Sequence, residues 1–197
     1  MLRANARQTA FMQLSDKELI RKCRKGKRRF QEELYRRYYG FGMSVCLRYT
    51  TNRDDALEVL NDSFMKVFDN LHSYDPERPF KSWMRRILVN TALDAYRRTV
   101  RHKVVVSHDN FEEIAGSVLQ DEEPGLSVEE ILQLFNRLPD MLRMTYNLYE
   151  IEGYSHEEIA GILDISPGTS RSNLSRAKKT LREEYTKYKN NACHEAV

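Results

Sequence analysis

The sequence predicts an all-α protein made of two helical bodies. Apolar residues recur at spacings of three and four along most of the chain, and period-two alternation is nearly absent. One aperiodic acidic stretch divides the helical pattern into two blocks. The nearest strand candidate, Val104 to Val106, is too short to found a sheet. With 197 residues, 41% of them apolar and 31% charged, the chain can bury ordinary cores and is not a disordered polyelectrolyte.

The first block opens at Ser15, where a serine followed three residues later by Glu18 forms a capping box and starts a helix over about 15–25. Phe30, Leu34, Tyr38, Phe41 and Val45 line one face of a second helix over about 28–50. Asn52 to Asp54 interrupts the pattern. Val59, Leu60, Phe64, Val67, Phe68 and Leu71 then give a third helix over 54–71. Ser73 to Pro79 breaks it again before a fourth, over 81–101, so four helices share one core.

From Lys103 to Leu126 periodicity is lost, acids accumulate, and Gly116, Pro124 and Gly125 appear. Structureless connections of this length are uncommon inside a compact domain, so residues 103–126 read as a flexible acidic linker between two domains, 1–102 and 127–188, with 189–197 as a tail. Helices resume near 127–137, 140–151, 155–163 and 167–188. Capping boxes at Ser127 with Glu130 and Ser155 with Glu158 mark two of these starts.

The formal net charge of +3 hides a strong asymmetry, because residues 104–137 hold eight acids against the single base Arg137. The flanks therefore carry the positive excess, which suits a polyanionic partner. It is clustered at Arg21 to Arg29, at Arg85, Arg86, Arg97, Arg98, Arg101 and Lys103, and at Arg171, Arg176, Lys178, Lys179 and Arg182. Solvated helix faces are the bland explanation, with even weight at the first cluster. The three cysteines, Cys23, Cys46 and Cys193, form neither a disulfide framework nor a zinc motif. No uninterrupted apolar run long enough for a membrane span or a secretory signal is present, and a reducing cytoplasm is the expected location.

Residues 155–180, SHEEIAGILDISPGTSRSNLSRAKKT, couple a capped short helix, a tight turn at Leu163, Asp164 and Ile165, and a second helix opened by Ser166 and Pro167. Ile159, Ile162, Ile165, Leu174 and Ala177 supply a seam between them, and Ala160 and Gly161 are small enough for close approach. This is the pattern of a DNA-binding helix-turn-helix. The start of its second helix would enter the major groove, which nominates Thr169, Ser170, Arg171, Ser172, Ser175 and Arg176, with Lys179 beside Lys178 and Arg182 as a phosphate or solvent residue. His156-Glu157 lacks the second histidine of a zinc protease motif, since Ala160 stands there. No nucleophile with a base, phosphate loop or metal-ligand set can be assembled, so no catalysis, cofactor or metal is expected.

RDDALEVLNDSFMKVFDNL and SYDPERPFKSWMRRILVNTALDAYRR in the first block, followed by LPDMLRMTYNLYEIEGYSHEEIAGILDISPGTSRSNLSRAKKTLR in the second, resemble the extracytoplasmic-function (ECF) sigma factors of the sigma-70 family. The first block is similar to region two and the second to region four, over about residues 28–102 and 127–186. The resemblance implies a non-enzymatic subunit that binds core RNA polymerase at its clamp helices and flap. It further implies recognition of the minus-thirty-five element by region four and melting of the minus-ten element by region two. An anti-sigma factor holding the two domains inactive belongs to the same expectation.

Carried onto this sequence, the resemblance places polymerase contacts at Asp55, Glu58, Asp62, Phe64 and Lys66. Asn90 falls where the family holds a flipped minus-ten base, with Tyr74, Asp75 and Lys81 as pocket wall and Arg86, Arg97 and Arg98 following phosphates. Trp83 and Ile87 read as core residues. Leu57, Asp164 and Ser170 depart from the family pattern, which usually has an acid, a glycine and an aliphatic residue there. A free-standing helix-turn-helix regulator is the competing function, and an enzyme on a basic helical scaffold is a weaker one.

Overall fold

The computed structural model describes residues 14–103 and 128–195, which fall into two compact units. The acidic linker over 104–126 and the cap at Ser127 lie outside the described residues. Among the described residues every regular element is helical, and no helix is long and apolar enough to cross a membrane.

The first unit contains α1 (Asp16–Cys23), α2 (Arg28–Cys46), α3 (Arg53–Asn70), a short 3-10 turn (Leu71–Ser73) and α4 (Phe80–Lys103). Each start has a local cause. Ser15 and Glu18 close a reciprocal capping box, and the Asn52 side chain accepts from the Asp55 amide at 2.8 Å. Gly26, at φ +68°, makes the left-handed reversal that returns α2 against α1. Leu19, Leu34, Val45, Leu60, Val67, Met84 and Leu88 are fully or almost fully buried and form the shared core.

Cys23 and Cys46 belong to this interior, and burial pushes both thiols up to about 12. They are packing residues rather than reactive ones.

α2 crosses α3 and α4 closely at Gly42. A Cβ there would lie 2.4 Å from Leu60 Cδ1 and 3.5 Å from Met84 Cε, whereas one at Gly40 would meet nothing. Gly42→Val should therefore destabilise the unit by about 1–3 kcal/mol through overpacking, and Gly40→Ala should stabilise it by about 0.5–1 kcal/mol through helix propensity. Urea titration of both variants checks the contrast.

The first turn of α1 is held to α2 by Asp16, which takes 2.8 Å contact from Arg37 Nη1 and a hydrogen bond from the Tyr38 hydroxyl. Partial burial pushes the Asp16 carboxyl up, but Tyr38, Arg37 and Lys81 outweigh it and hold the group below the ordinary aspartate range. Its stabilisation is complete above about pH 4 and is lost as acid carries the solution below that value. Thermal melts between about pH 5 and pH 2 should show a steeper loss for the native chain than for Asp16→Asn, by at most ~1 kcal/mol given the solvent screening of this contact.

The second unit contains α5 (Val128–Asn136), α6 (Asp140–Tyr146), which runs on into a π turn (Asn147–Ile151), then α7 (His156–Leu163) and α8 (Pro167–Glu195). Leu138, Leu142 and Ala177 centre its core, with Phe135, Tyr146 and Leu181 packed around them. Arg143 is buried to 2% exposure and donates to Asp140 at 2.9 Å. The continuous helix expected over 140–151 is wider at its end, because the Glu152 amide reaches back five residues to the Asn147 carbonyl. The last helix passes the expected end at 188 and continues to Glu195.

Candidate nucleic-acid interface

In the second unit the helix-turn-helix is built by local chemistry. Ser155 donates its amide to Glu158 at 2.8 Å while its hydroxyl accepts from the Glu158 amide, and the same backbone hydrogen bond holds the Glu158 carboxyl below its usual range. Asp164 takes the left-handed position at φ 56°, where a short polar side chain substitutes for glycine. The Ile165 amide returns to the Ala160 carbonyl and closes the turn. Ser166 then caps α8 through the Thr169 amide at 2.9 Å, with Pro167 in the first helical position.

α8 consequently has two unlike sides. Ser170, Asn173, Leu174 and Ala177 turn inward. Thr169, Arg171, Ser172, Ser175, Arg176 and Lys179 are exposed. Arg171 stands 3.6 Å from Glu157 and Lys179 3.9 Å from Glu183, both exposed pairs of low energy that leave these cations available to another anion.

Ser170 differs from its expected role. It is fully buried, its hydroxyl 2.9 Å from His156 Nδ1, and His156 in turn stacks on Tyr149 at 4.4 Å. It joins α7 to α8 and presents nothing to solvent. The signal for this was in the sequence, because Ser170 shares a helical face with Leu174 and Ala177. Gly161 is also different from expectation, since a Cβ there meets open space and close packing does not require glycine.

In the first unit, the segment 74–79 lies between the 3-10 turn and α4. Asp75, Lys81, Arg86, Asn90, Arg97 and Arg98 are exposed. Tyr74 is not, being 5% exposed with its hydroxyl donating to the Arg78 carbonyl. Its ring packs edge-on against Phe80 at 5.3 Å and beside Trp83 at 5.2 Å, so it supports the loop from beneath and offers no wall to a base.

Phe64 also turns inward, 2% exposed and 4.5 Å from the Tyr35 ring. It shares the helical face of Leu60, Val67 and Leu71, which explains its burial. The charged residues around it, Asp55, Glu58, Asp62 and Lys66, are exposed. Lys66 stands 3.6 Å from Asp94, and Arg98 stands 3.8 Å from Asp62, so ion pairs bridge α3 and α4.

A contact that no sequence pattern announced joins α1 to the loop. Arg24 Nε donates to the Leu71 carbonyl at 2.9 Å and Nη2 donates to the Tyr74 carbonyl.

Two helical units, one with a helix-turn-helix whose second helix exposes a polar and cationic side, define a DNA-binding protein. Residues 34–102 match the family Sigma-70 region 2, and residues 128–181 match Sigma-70 region 4. An ECF RNA polymerase sigma-E factor of Salmonella typhimurium is 34% identical over 181 residues, covering 86% of this chain and 93% of that protein. The protein of the same description in Haemophilus influenzae is 31% identical over 179 residues, covering 86% of this chain and 94% of its own. Among solved structures, the sigma factor RpoE of Bartonella quintana, in complex with the anti-sigma factor NepR, shares 22% identity over 77% of this chain and 94% of that chain, with a TM-score of 0.48. The chain belongs to the sigma-70 family, in its ECF class of RNA polymerase sigma factors.

Proposed function

We propose that this chain is the promoter-recognition subunit that core RNA polymerase takes up to begin transcription, acting in the cytoplasm without catalytic chemistry of its own. Residues 127–188 read the minus-thirty-five element through Thr169, Arg171, Ser172, Ser175 and Arg176 in the major groove, with Lys179 on the phosphates. Residues 1–102 dock on the polymerase clamp helices through Asp55, Glu58, Asp62 and Lys66. Asn90, Asp75 and Lys81 hold the opened minus-ten strand, and Arg86, Arg97 and Arg98 follow its phosphates. An anti-sigma factor keeps the two domains inactive until a signal arrives.

The observation that carries this reading is the division of α8 into a buried side of Ser170, Asn173, Leu174 and Ala177 and an exposed side of arginine, serine and threonine, the chemistry suited to guanine edges and phosphates. It is tested by transcription from a matched promoter with core polymerase alone, the chain alone, and both together. Promoter-specific transcripts are expected only from the pair. Tight unaided binding of the chain to a two-fold duplex site, with no association with core enzyme, would replace this reading with a free-standing regulator.

A further inference from the structure

The turn from α1 to α2 carries a concentration of charge that none of the roles above uses. Seven of the nine residues from Arg21 to Arg29 are lysine or arginine, and none is acidic. Two of them have local partners. Arg24 is spent on the Leu71 and Tyr74 carbonyls, and Arg28 stands 3.2 Å from Glu32. The other five, Arg21, Lys22, Lys25, Lys27 and Arg29, line one hollow of about 320 Å³ whose remaining lining residue is Phe30. Among the described residues none of the five stands within ion-pair distance of a carboxylate, although Lys22 and Arg21 act through space on the Glu18 carboxyl.

Five like charges around one concavity repel each other, and a polyanion laid across them removes that repulsion. The lining also says what part of a polyanion fits. Phe30 is 5% exposed, with Lys22 Nζ 5.1 Å and Arg29 Cζ 4.7 Å from its ring centre, so no ring is open for a base to stack on. The five cations are all donors with no acceptor among them, a set that matches the acceptor-only oxygens of successive phosphates. The position is equally informative. Arg24, inside the cationic run though not in the lining of the hollow, is hydrogen-bonded to the Leu71 and Tyr74 carbonyls, which ties the turn that carries the hollow to the start of the 74–79 segment.

We propose that this hollow binds the sugar-phosphate backbone of the unpaired promoter strand next to the bases held by Asn90 and the loop, extending the single-strand path by sequence-independent contacts. The inference rests on the minus-ten reading above. Its ligand is a run of phosphodiesters on single-stranded DNA.

The test uses holoenzyme assembled from core polymerase and the full chain, with Lys25→Gln/Lys27→Gln as the variant, because both side chains are exposed. Equilibrium binding to a forked template with an unpaired minus-ten strand is followed from about 50 to 200 mM salt. Each lost single-strand phosphate contact lowers the log-log salt slope by about 0.7, so the double variant should lose about 1.4 in slope and roughly ten-fold in affinity near 0.15 M salt. Neutral methylphosphonate linkages beside the minus-ten bases should abolish the difference between variant and native chain. Equal slopes and affinities on both templates would overturn the proposal and leave a solvated charged face. Weaker association with core enzyme at an unaltered slope would also overturn it, assigning the hollow to an acidic protein surface. If the native holoenzyme fails to hold the fork at all, the minus-ten reading fails and this inference falls with it.

Discussion

Replacing Arg171 and Arg176 together by alanine is expected to weaken holoenzyme binding to a duplex minus-thirty-five element by about 100-fold. A bidentate arginine on guanine discriminates by about 1–3 kcal/mol; a loss of about 1.4 kcal/mol at each, inside that range, removes a factor of ten, and two such losses add. Both side chains are exposed, and the one ion pair at stake among the described residues, Arg171 with Glu157, is solvent-screened, so the fold should be unaffected. Thermal unfolding of the variant checks that point. The affected step is also specific. A template whose minus-ten region is already open should be used almost normally, because the first unit is untouched. Equal loss on duplex and premelted templates would contradict the assignment of minus-thirty-five reading to α8.

Asn90→Ala should produce the opposite pattern. A side chain that hydrogen-bonds a base edge bidentately is worth about 1–3 kcal/mol, so removing one that grips an unpaired base should reduce open complexes by about 5- to 150-fold while leaving duplex minus-thirty-five binding intact. Asn90 is exposed on α4, between the buried Val89 and Thr91, so alanine leaves no cavity. Its surroundings support this role in a particular way. Tyr74, Phe80 and Trp83 pack into one aromatic cluster under the loop, and Tyr38 joins it through Phe80 at 4.9 Å. Rigid support of this kind holds Asp75 in the loop and Lys81 in the first turn of α4. A proportional loss of duplex binding in Asn90→Ala would place this residue outside the melting step.

What could be read from the sequence was whatever local chemistry decides. Helix starts at Ser15, Ser155 and Pro167 follow from the cap residue and its partner three positions on, and the structure has them there. The turn at Asp164 was legible for the same reason, although the left-handed backbone of that aspartate became visible only in the structure.

Side-chain direction was less well read where a family role competed with the helical register. Phe64 and Ser170 both share a face with buried aliphatic residues, and the register was the better guide. Tyr74 had no register to consult, because it precedes a loop and packs against the Phe80 and Trp83 rings, which arrive from α4.

Contacts between residues far apart in sequence were not legible at all. Arg24 looks like one more surface cation until its partners, the Leu71 and Tyr74 carbonyls, are seen. At much shorter range the stack of Tyr149 on His156 is equally silent, since the π turn that brings the two rings together has no sequence signal.

The measurement that bears most directly on this account is strand opening at the minus-ten element, read from a fluorescent adenine analogue placed in that element. A rise in signal is expected when core polymerase and the chain are both present, no rise with either alone, and a strongly reduced rise with Asn90→Ala. A signal that stays at the duplex level with the reconstituted enzyme, across templates and temperatures, would contradict it.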